Sequence, residues 1–194
     1  MKTALIFGAS GLIGSHVLAL LLADNRYQKV ICINRKTLGK THPKLIEFTG
    51  DLFNLKTFET AFAGVDDVFI AIGTTKAKTP DKEIYKKIDL GIPLAAGQLA
   101  KNAGVKNVCA VSSMGANAKS SIFYSAFKGQ MEDGLTAMNF ENLNLVRPSL
   151  LLGDRKEHRT GEKGSAFFMT KLNFLVPEKY KAIQGETVAK ALII

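Results

Sequence analysis

Thr3-Ala4-Leu5-Ile6-Phe7-Gly8-Ala9-Ser10-Gly11-Leu12-Ile13-Gly14 is the stretch on which the reading of this chain turns. Thr3–Phe7 is a short apolar run, the pattern of a strand buried on both faces. Glycines at 8, 11 and 14 follow directly, and a helix-period segment, Leu12–Leu22, starts among them. In a strand-to-helix turn the three glycines have separate tasks. Gly8 allows the tight turn, Gly11 lets backbone amides approach a pyrophosphate, and Gly14 lets the helix pack closely on the sheet. The helix N-terminus adds unpaired N–H groups and a partial positive charge. Gly8, Ser10, Gly11, Leu12, Ile13 and Gly14 are therefore the first candidate binding residues. The spacing is G-x-x-G-x-x-G, and a glycine triplet alone could mark only a packing turn. Its place after the N-terminal strand is what gives it weight.

Outward from that turn, short apolar runs alternate with helical segments. Val30–Ile33, Lys44–Thr49, Val68–Ile72, Val108–Ser112 and Leu143–Val146 read as further strands. Between them, Leu55–Phe62 reads as a brief helix stopped by Gly64, and Phe123–Met138 as a longer one. Thr79-Pro80 supplies an N-cap and a first-turn proline for a helix running towards Lys101, which Pro93 kinks or restarts. Six apolar strands alternating with helices predict an α/β fold, a doubly wound parallel sheet covered on both faces. Residues 1–152 form that domain, and 153–194 a small C-terminal annex on the substrate side. Glu186–Ile194 reads as a helix ending on Ala-Leu-Ile-Ile without a cap, as expected of a shortened C-terminus.

Composition narrows the class. At 194 residues, 46% hydrophobic and 22% charged, the chain is ordinary globular protein, long enough for a core without staples. Cys32 and Cys109 lie in apolar runs and read as buried free thiols. The longest apolar run, Val17 to Ala23, is too short for a membrane span, and strand-like sequence from Thr3 leaves no room for a signal peptide. These features predict a cytoplasmic protein. His16, His42 and His158 are scattered, so no metal site is expected.

The end of the second strand carries Asn34-Arg35-Lys36, with no acid until Glu47. An acid there would hold a ribose 2′-hydroxyl, whereas an arginine accommodates a 2′-phosphate. Arg35 can fork onto a phosphate and Lys36 can add a point charge, which favours NADP(H) over NAD(H). The competing reading is two solvated basic side chains. Further along, Tyr124 and Lys128 share one face of a predicted helix, and an ammonium beside a phenol favours the phenolate. That would make Tyr124 a usable general acid or base. Ser112-Ser113 ends the fifth strand, where an open parallel sheet binds its ligands, and a hydroxyl there could hold a substrate oxygen.

Together, Gly8-x-x-Gly11-x-x-Gly14, Asn34-Arg35, Gly50-Asp51-Leu52, Ser112-Ser113 and Tyr124-x-x-x-Lys128 resemble the atypical short-chain dehydrogenase/reductases, over nearly the whole chain. Gly73-Thr74-Thr75-Lys76, Ser112–Ala116 and Arg147–Arg155 resemble the HIV Tat-interactive oxidoreductase subgroup more closely. The resemblance implies a Rossmann-type fold binding NADP(H), with Asp51 and Leu52 near the adenine. It places Ala71, Ile72 and Gly73 beside the adenosine ribose, with Thr74 following, and Lys128 on the nicotinamide ribose. It makes Ser113 the catalytic serine, with Arg147, Pro148 and Ser149 on the segment along the nicotinamide. One departure stands out: only ten residues separate Ser113 from Tyr124, fewer than in many short-chain reductases.

Lys and Arg number 26 against 17 Asp and Glu, a net charge of +9. Arg35, Lys36, Lys40 and Lys44 follow the second strand, Lys76, Lys78 and Lys82 the fourth, and Arg155, Lys156, Arg159 and Lys163 the sixth. All three loops leave the carboxyl edge of the predicted sheet, so a positive rim around the crevice is expected. The last cluster suits either an anionic small-molecule substrate or plain solubility. Nucleic-acid binding is not expected, because there is no zinc-finger spacing and no basic stripe interleaved with aromatics. The leading reading is an NADP(H)-dependent oxidoreductase of a small carbonyl or alcohol, monomeric or homodimeric, with a Ser113–Tyr124–Lys128 proton relay. The alternatives are an NADP(H)-sensing module engaging a protein partner, and a nucleotide-sugar epimerase or dehydratase.

Overall fold

In the computed structural model, residues 1–152 and 181–193 are described. Strands β1 (Lys2–Phe7), β2 (Tyr27–Asn34), β3 (Leu45–Thr49), β4 (Asp67–Ile70), β5 (Asn107–Val111) and β6 (Asn142–Val146) form one parallel sheet in the order β3-β2-β1-β4-β5-β6. The doubly wound parallel sheet expected from the alternation is present in a Rossmann-like order, and its direction reverses between β1 and β4. Ligands of such sheets bind outside the carboxyl ends of the strands at that switch point.

Alternation within the strands divides the core. In β1, Leu5 and Phe7 face one cluster with Phe62, Ala96 and Leu135, while Ala4 and Ile6 face another with Val17, Leu18 and Leu21 of α1 (Leu12–Ala23). The first cluster packs under a 3₁₀ helix at Leu55–Phe62, α3 (Ile92–Asn102) and α4 (Phe123–Ala137). A short parallel pair, β7 (Leu151–Leu152) and β8 (Ile183–Gln184), precedes α5 (Gly185–Leu192). The apolar end of α5 is accounted for by burial, since Val188, Ala189 and Leu192 pack into the α1 cluster.

Two local readings are corrected. The cap after β4 is Asp81, not Thr79: its Oδ1 accepts from the backbone N–H groups of Glu83 and Ile84 at 2.8 and 2.9 Å. Pro80 therefore stands outside α2 (Lys82–Lys86). The chain continues through a π-helical turn at Lys87–Gly91 before α3 begins, with Pro93 in its first turn. Lys44 is also not part of the rim. It precedes β3, at the sheet's amino edge, and its Nζ donates to the Asp24 carbonyl at 2.9 Å. Cys32 is buried and Cys109 partly so, and burial pushes both thiols up to about 12. Among the described residues no helix is long and apolar enough to cross a membrane.

A polar knot holds the amino edge together. Buried Asp67 accepts from Tyr27 Oη at 2.6 Å, Asn107 Nδ2 at 2.6 Å and Lys2 Nζ at 3.1 Å, joining β1, β2, β4 and β5. Burial, then the bond to Asp67, pushes the Tyr27 phenol well above its ordinary range. Asp67→Ala would leave that hydroxyl without its acceptor and the Asn107 amide with only the longer bond to the Asp66 carbonyl at 3.4 Å. A loss of about 2–4 kcal/mol is expected in urea unfolding, with an unchanged slope. Asp67→Asn should lose less.

Candidate functional site

Every element that ends at the carboxyl edge near the switch point contributes to one crevice. At its centre is the glycine turn. Gly8 has φ +85°, and a Cβ there would lie 2.6 Å from the Ala71 carbonyl oxygen. A Cβ on Gly14 would lie only 2.0 Å from the Gly8 carbonyl oxygen. The turn is thus clamped between α1 and the end of β4, and two glycines have the tasks assigned to them. Gly11 is the N-cap of α1 and offers no side chain to cap it, and no acid stands in the first turn. Exposed Ser10 and Gly11 therefore present an uncapped helix start, which fits an anion. Leu12 is half-buried and Ile13 is in the core, so both contribute backbone rather than side chain.

To one side lies the end of β2. Arg35 and Lys36 are exposed there, while Asn34 is buried and its Nδ2 has no hydrogen-bond partner among the described residues. Next to it, exposed Asp51 closes its own turn by accepting from the Phe53 N–H at 2.9 Å, and Leu52 is buried in the core. Asn34 was not predicted as a site residue. The signal was the same tripeptide that named Arg35, read only for its charges.

On the other side, β4, β5, β6 and α4 meet. Lys128 of α4 is buried, with its Nζ 3.3 Å from Asp89 Oδ1 and 3.3 Å from the Val111 carbonyl at the end of β5. Asp89 sits on the π-helical turn and also accepts from the Thr74 N–H at 2.8 Å. Burial pushes its carboxyl above the ordinary range, against the pull of the Lys128 ammonium and the Thr74 N–H. A Cβ on Gly73 would lie 3.2 Å from Asp89 Oδ1, so glycine lets the loop after β4 sit directly on this pair. Thr74 is fixed further by Tyr85 Oη, which donates to its carbonyl at 3.2 Å. Asp89 was missed in the sequence, although a lone acid between Ile88 and Leu90 in a helix is a signal.

Tyr124 is on the same α4 stripe, 37% exposed, with its ring edge-on to Tyr85 at 6.5 Å. The ammonium of Lys128 is held by Asp89 and Val111, so the predicted same-face pair carries a third member. Ser112 and Ser113 are both buried, and neither hydroxyl has a well-formed hydrogen bond among the described residues. Ser112 contributes to the environment of Glu132, whereas Ser113 Oγ has no hydrogen-bond partner among the described residues. The short Ser113–Tyr124 connection folds back on α4: Asn117 N donates to the Ser125 carbonyl at 3.0 Å. A Cβ on Gly129 would lie 2.1 Å from Ala118 N, so the missing side chain is what lets the loop lie there.

Beyond β6 two of the predicted site side chains have partners within the chain. Arg147 is engaged by Glu132 of α4 through Nε at 2.8 Å and through Nη2, which leaves it paired rather than free for a ligand. Ser149 Oγ donates to the Lys181 carbonyl. Pro148 is buried, and its carbonyl accepts from Met114 N at 2.9 Å, extending the β5–β6 pairing past the sheet. Arg155, Lys156, Arg159 and Lys163 lie outside the described residues.

Comparison with known proteins agrees with this geometry. A family model described as NAD(P)H-binding matches residues 8–171. The protein FMP52, mitochondrial, of Debaryomyces hansenii is 32% identical over 98% of this chain and 86% of its own. The protein HTATIP2 of Rattus norvegicus is 34% identical over 83% of this chain and 67% of its own. Among solved structures, UDP-N-acetylglucosamine 4-epimerase from Methanobrevibacter ruminantium superposes with a TM-score of 0.76 at 22% identity, over 99% of this chain and 72% of that one. The cytoplasmic placement is corrected by these relatives. Four fungal ones, 30–35% identical over most of the chain, are named as mitochondrial proteins. The expectation rested on the lack of a secretory signal and of a membrane span, and neither feature distinguishes the cytosol from a mitochondrion.

Proposed function

This chain belongs to the NAD(P)H-binding family, as an atypical short-chain dehydrogenase/reductase, and from that premise we propose that it is an NADP(H)-dependent oxidoreductase of a small carbonyl or alcohol. The observation that carries the proposal is Ser113 Oγ, buried just past the end of β5 and without a hydrogen-bond partner among the described residues, on the same carboxyl edge as the α4 stripe that bears Tyr124 and Lys128. A buried hydroxyl without a partner costs about 1–3 kcal/mol, which an incoming oxygen would recover. The uncapped start of α1 fits the pyrophosphate, and exposed Arg35, with no acid at the end of β2, fits a 2′-phosphate. Asp51, Leu52, Ala71, Ile72, Gly73 and Thr74 would line the adenosine half and the crevice floor. Residues 1–152 would hold the dinucleotide, and 153–194 would complete the substrate side.

The bound nicotinamide supplies or accepts hydride. The protein's part is positional and protic. Ser113 would hold the substrate oxygen, and Tyr124 Oη would give that oxygen its proton in reduction or take it in oxidation. Lys128 would hold the ribose beside them, its height set by Asp89 and the Val111 carbonyl. A screen of small aldehydes and ketones, followed by loss of NADPH absorbance, tests this. Tyr124→Phe should lower turnover at least about 100-fold while NADPH affinity changes little. Unchanged turnover in Tyr124→Phe would remove the relay.

One observation favours a second reading. Lys128 is already engaged by a buried carboxylate, as it would be in a module that binds NADP(H) and signals occupancy to a partner protein. Such a module would show no turnover in the screen and would keep partner binding in Tyr124→Phe.

A further inference from the structure

Glu132 continues the stripe of Tyr124 and Lys128 by one more helical step, and its carboxylate is buried. An isolated buried carboxylate is costly, so its partners identify its task. Arg147 donates to both of its oxygens from the residue that follows β6. Burial pushes the Glu132 carboxyl up, but the Arg147 guanidinium bonded to it outweighs that and holds it below its ordinary range. Ser112 and Arg147 are also tied by backbone: Ser112 N donates to the Val146 carbonyl at 2.8 Å, and Met114 N to the Pro148 carbonyl at 2.9 Å. Thus one side chain on α4 holds the segment that leaves β6, and backbone bonds join that segment to the one that leaves β5 at the carboxyl edge. The guanidinium is half exposed, with 55% of the side chain accessible, so packing alone does not hold it. The two-bond fork does.

The sheet order determines what those segments face. A dinucleotide across the switch point puts its pyrophosphate at the β1 turn and one nucleoside over β2, where Arg35 stands. Its other half then lies over β4, β5 and β6. We infer that Glu132 is a positioning residue for that second half, because through Arg147 it sets where residues 147–149 stand at the crevice and, through the backbone bonds of that segment to Ser112 and Met114, where Ser113 stands. The inference rests on the NADP(H) reading above. It concerns one end of the cofactor only, which makes it separable from general damage.

The test is calorimetric titration of wild type and Glu132→Gln with two probes: NADPH, and 2′-phosphoadenosine-5′-diphosphoribose, which lacks the nicotinamide. Glu132→Gln should weaken NADPH about tenfold, the worth of one charged hydrogen bond, and leave the shorter probe within about twofold. Arg147→Lys keeps the charge at the exposed end of the pair but breaks the fork, and it replaces the first variant should Gln fail to fold. It should show the same selective loss, smaller in size. Equal weakening of both probes, or no change in either, overturns the positioning role. Failure of wild type to bind either probe overturns the NADP(H) reading itself, and the inference with it.

Discussion

Gly14→Ala is expected to abolish both stable folding and nucleotide binding. The added methyl would stand 2.0 Å from the Gly8 carbonyl oxygen and 2.6 Å from its carbon, both backbone atoms. Side chains can rotate away from a new methyl, but this turn has no such freedom. Gly8 is itself held at φ +85°, within 2.6 Å of the Ala71 carbonyl oxygen measured from its own ideal Cβ position. Relief would require α1 to lift from β1, opening the cluster that Val17, Leu18 and Leu21 share with Ile6. The cost should exceed about 3 kcal/mol, the upper end for an overpacked core, and thermal unfolding measures it. Gly11→Ala is the control. Its φ of −81° suits any residue, and its Cβ would meet only the Gly8 oxygen at 3.2 Å. That variant should fold, yet place a methyl where amides must approach an anion, so binding is lost while stability is largely kept. Equal stability in Gly14→Ala and wild type would contradict the clamped turn.

The second large effect is expected from Lys128→Met, which removes the ammonium from a buried pair and leaves Asp89 behind. Breaking such a pair on one side typically costs about 3–5 kcal/mol. The pH dependence carries a definite sign. Burial already holds the Asp89 carboxyl above its ordinary range, and loss of Lys128 removes an opposing influence. The folded variant therefore keeps a proton that the unfolded chain releases once pH passes the ordinary carboxylate range near 4. Its stability should fall as pH rises from there, so its deficit against wild type is smaller at about pH 5 than at about pH 8. Denaturant melts at the two pH values check this. A deficit independent of pH would mean that Asp89 is not the group left uncompensated. Lys128→Met/Asp89→Leu should regain much of the stability but none of the ribose contact proposed for Lys128.

How much of this was legible beforehand depended on the range of the interactions. The doubly wound parallel sheet followed from local patterns, since each strand is a short apolar run and helical segments lie between most of them. The glycine turn was legible because its three glycines fall within seven residues and the contact that excludes a side chain at Gly14 is with Gly8 itself, whereas the Ala71 carbonyl that closes on Gly8 was not visible. The cap after β4 was misassigned because Thr79-Pro80 and Asp81 both satisfy the local rule, and only the side-chain bonds of Asp81 decide between them. Asp89 and Glu132 were missed for a different reason. Their partners, Lys128 and Arg147, are 39 and 15 residues away in sequence, and nothing local announces a pair that forms only when α4 meets the sheet edge. Arg147 shows the converse case. The resemblance marked its segment for the cofactor, but the acid that holds its guanidinium stands on another element and was not visible in the sequence.

Lys128 and Glu132 also show how a single helix organises the crevice. Their i, i+4 spacing brings alternating charges to one edge of the sheet, and each charge ties a different strand end to α4. The loop after β4 is reached through Asp89, and the segment after β6 through Arg147. The glycine turn, by contrast, is held by backbone alone. Binding at the turn and positioning at the far side thus rest on separate structural devices, and substitutions should separate them.

The most direct test of the account is a titration of wild type and Arg35→Ala with NADPH and with NADH, followed by nucleotide fluorescence. The account predicts that wild type binds NADPH about tenfold or more tightly than NADH, in line with one or two charge-assisted bonds to a phosphate. In Arg35→Ala that preference should collapse while NADH affinity stays where it was. Binding of neither nucleotide, or a preference for NADPH that survives the loss of Arg35, would contradict it.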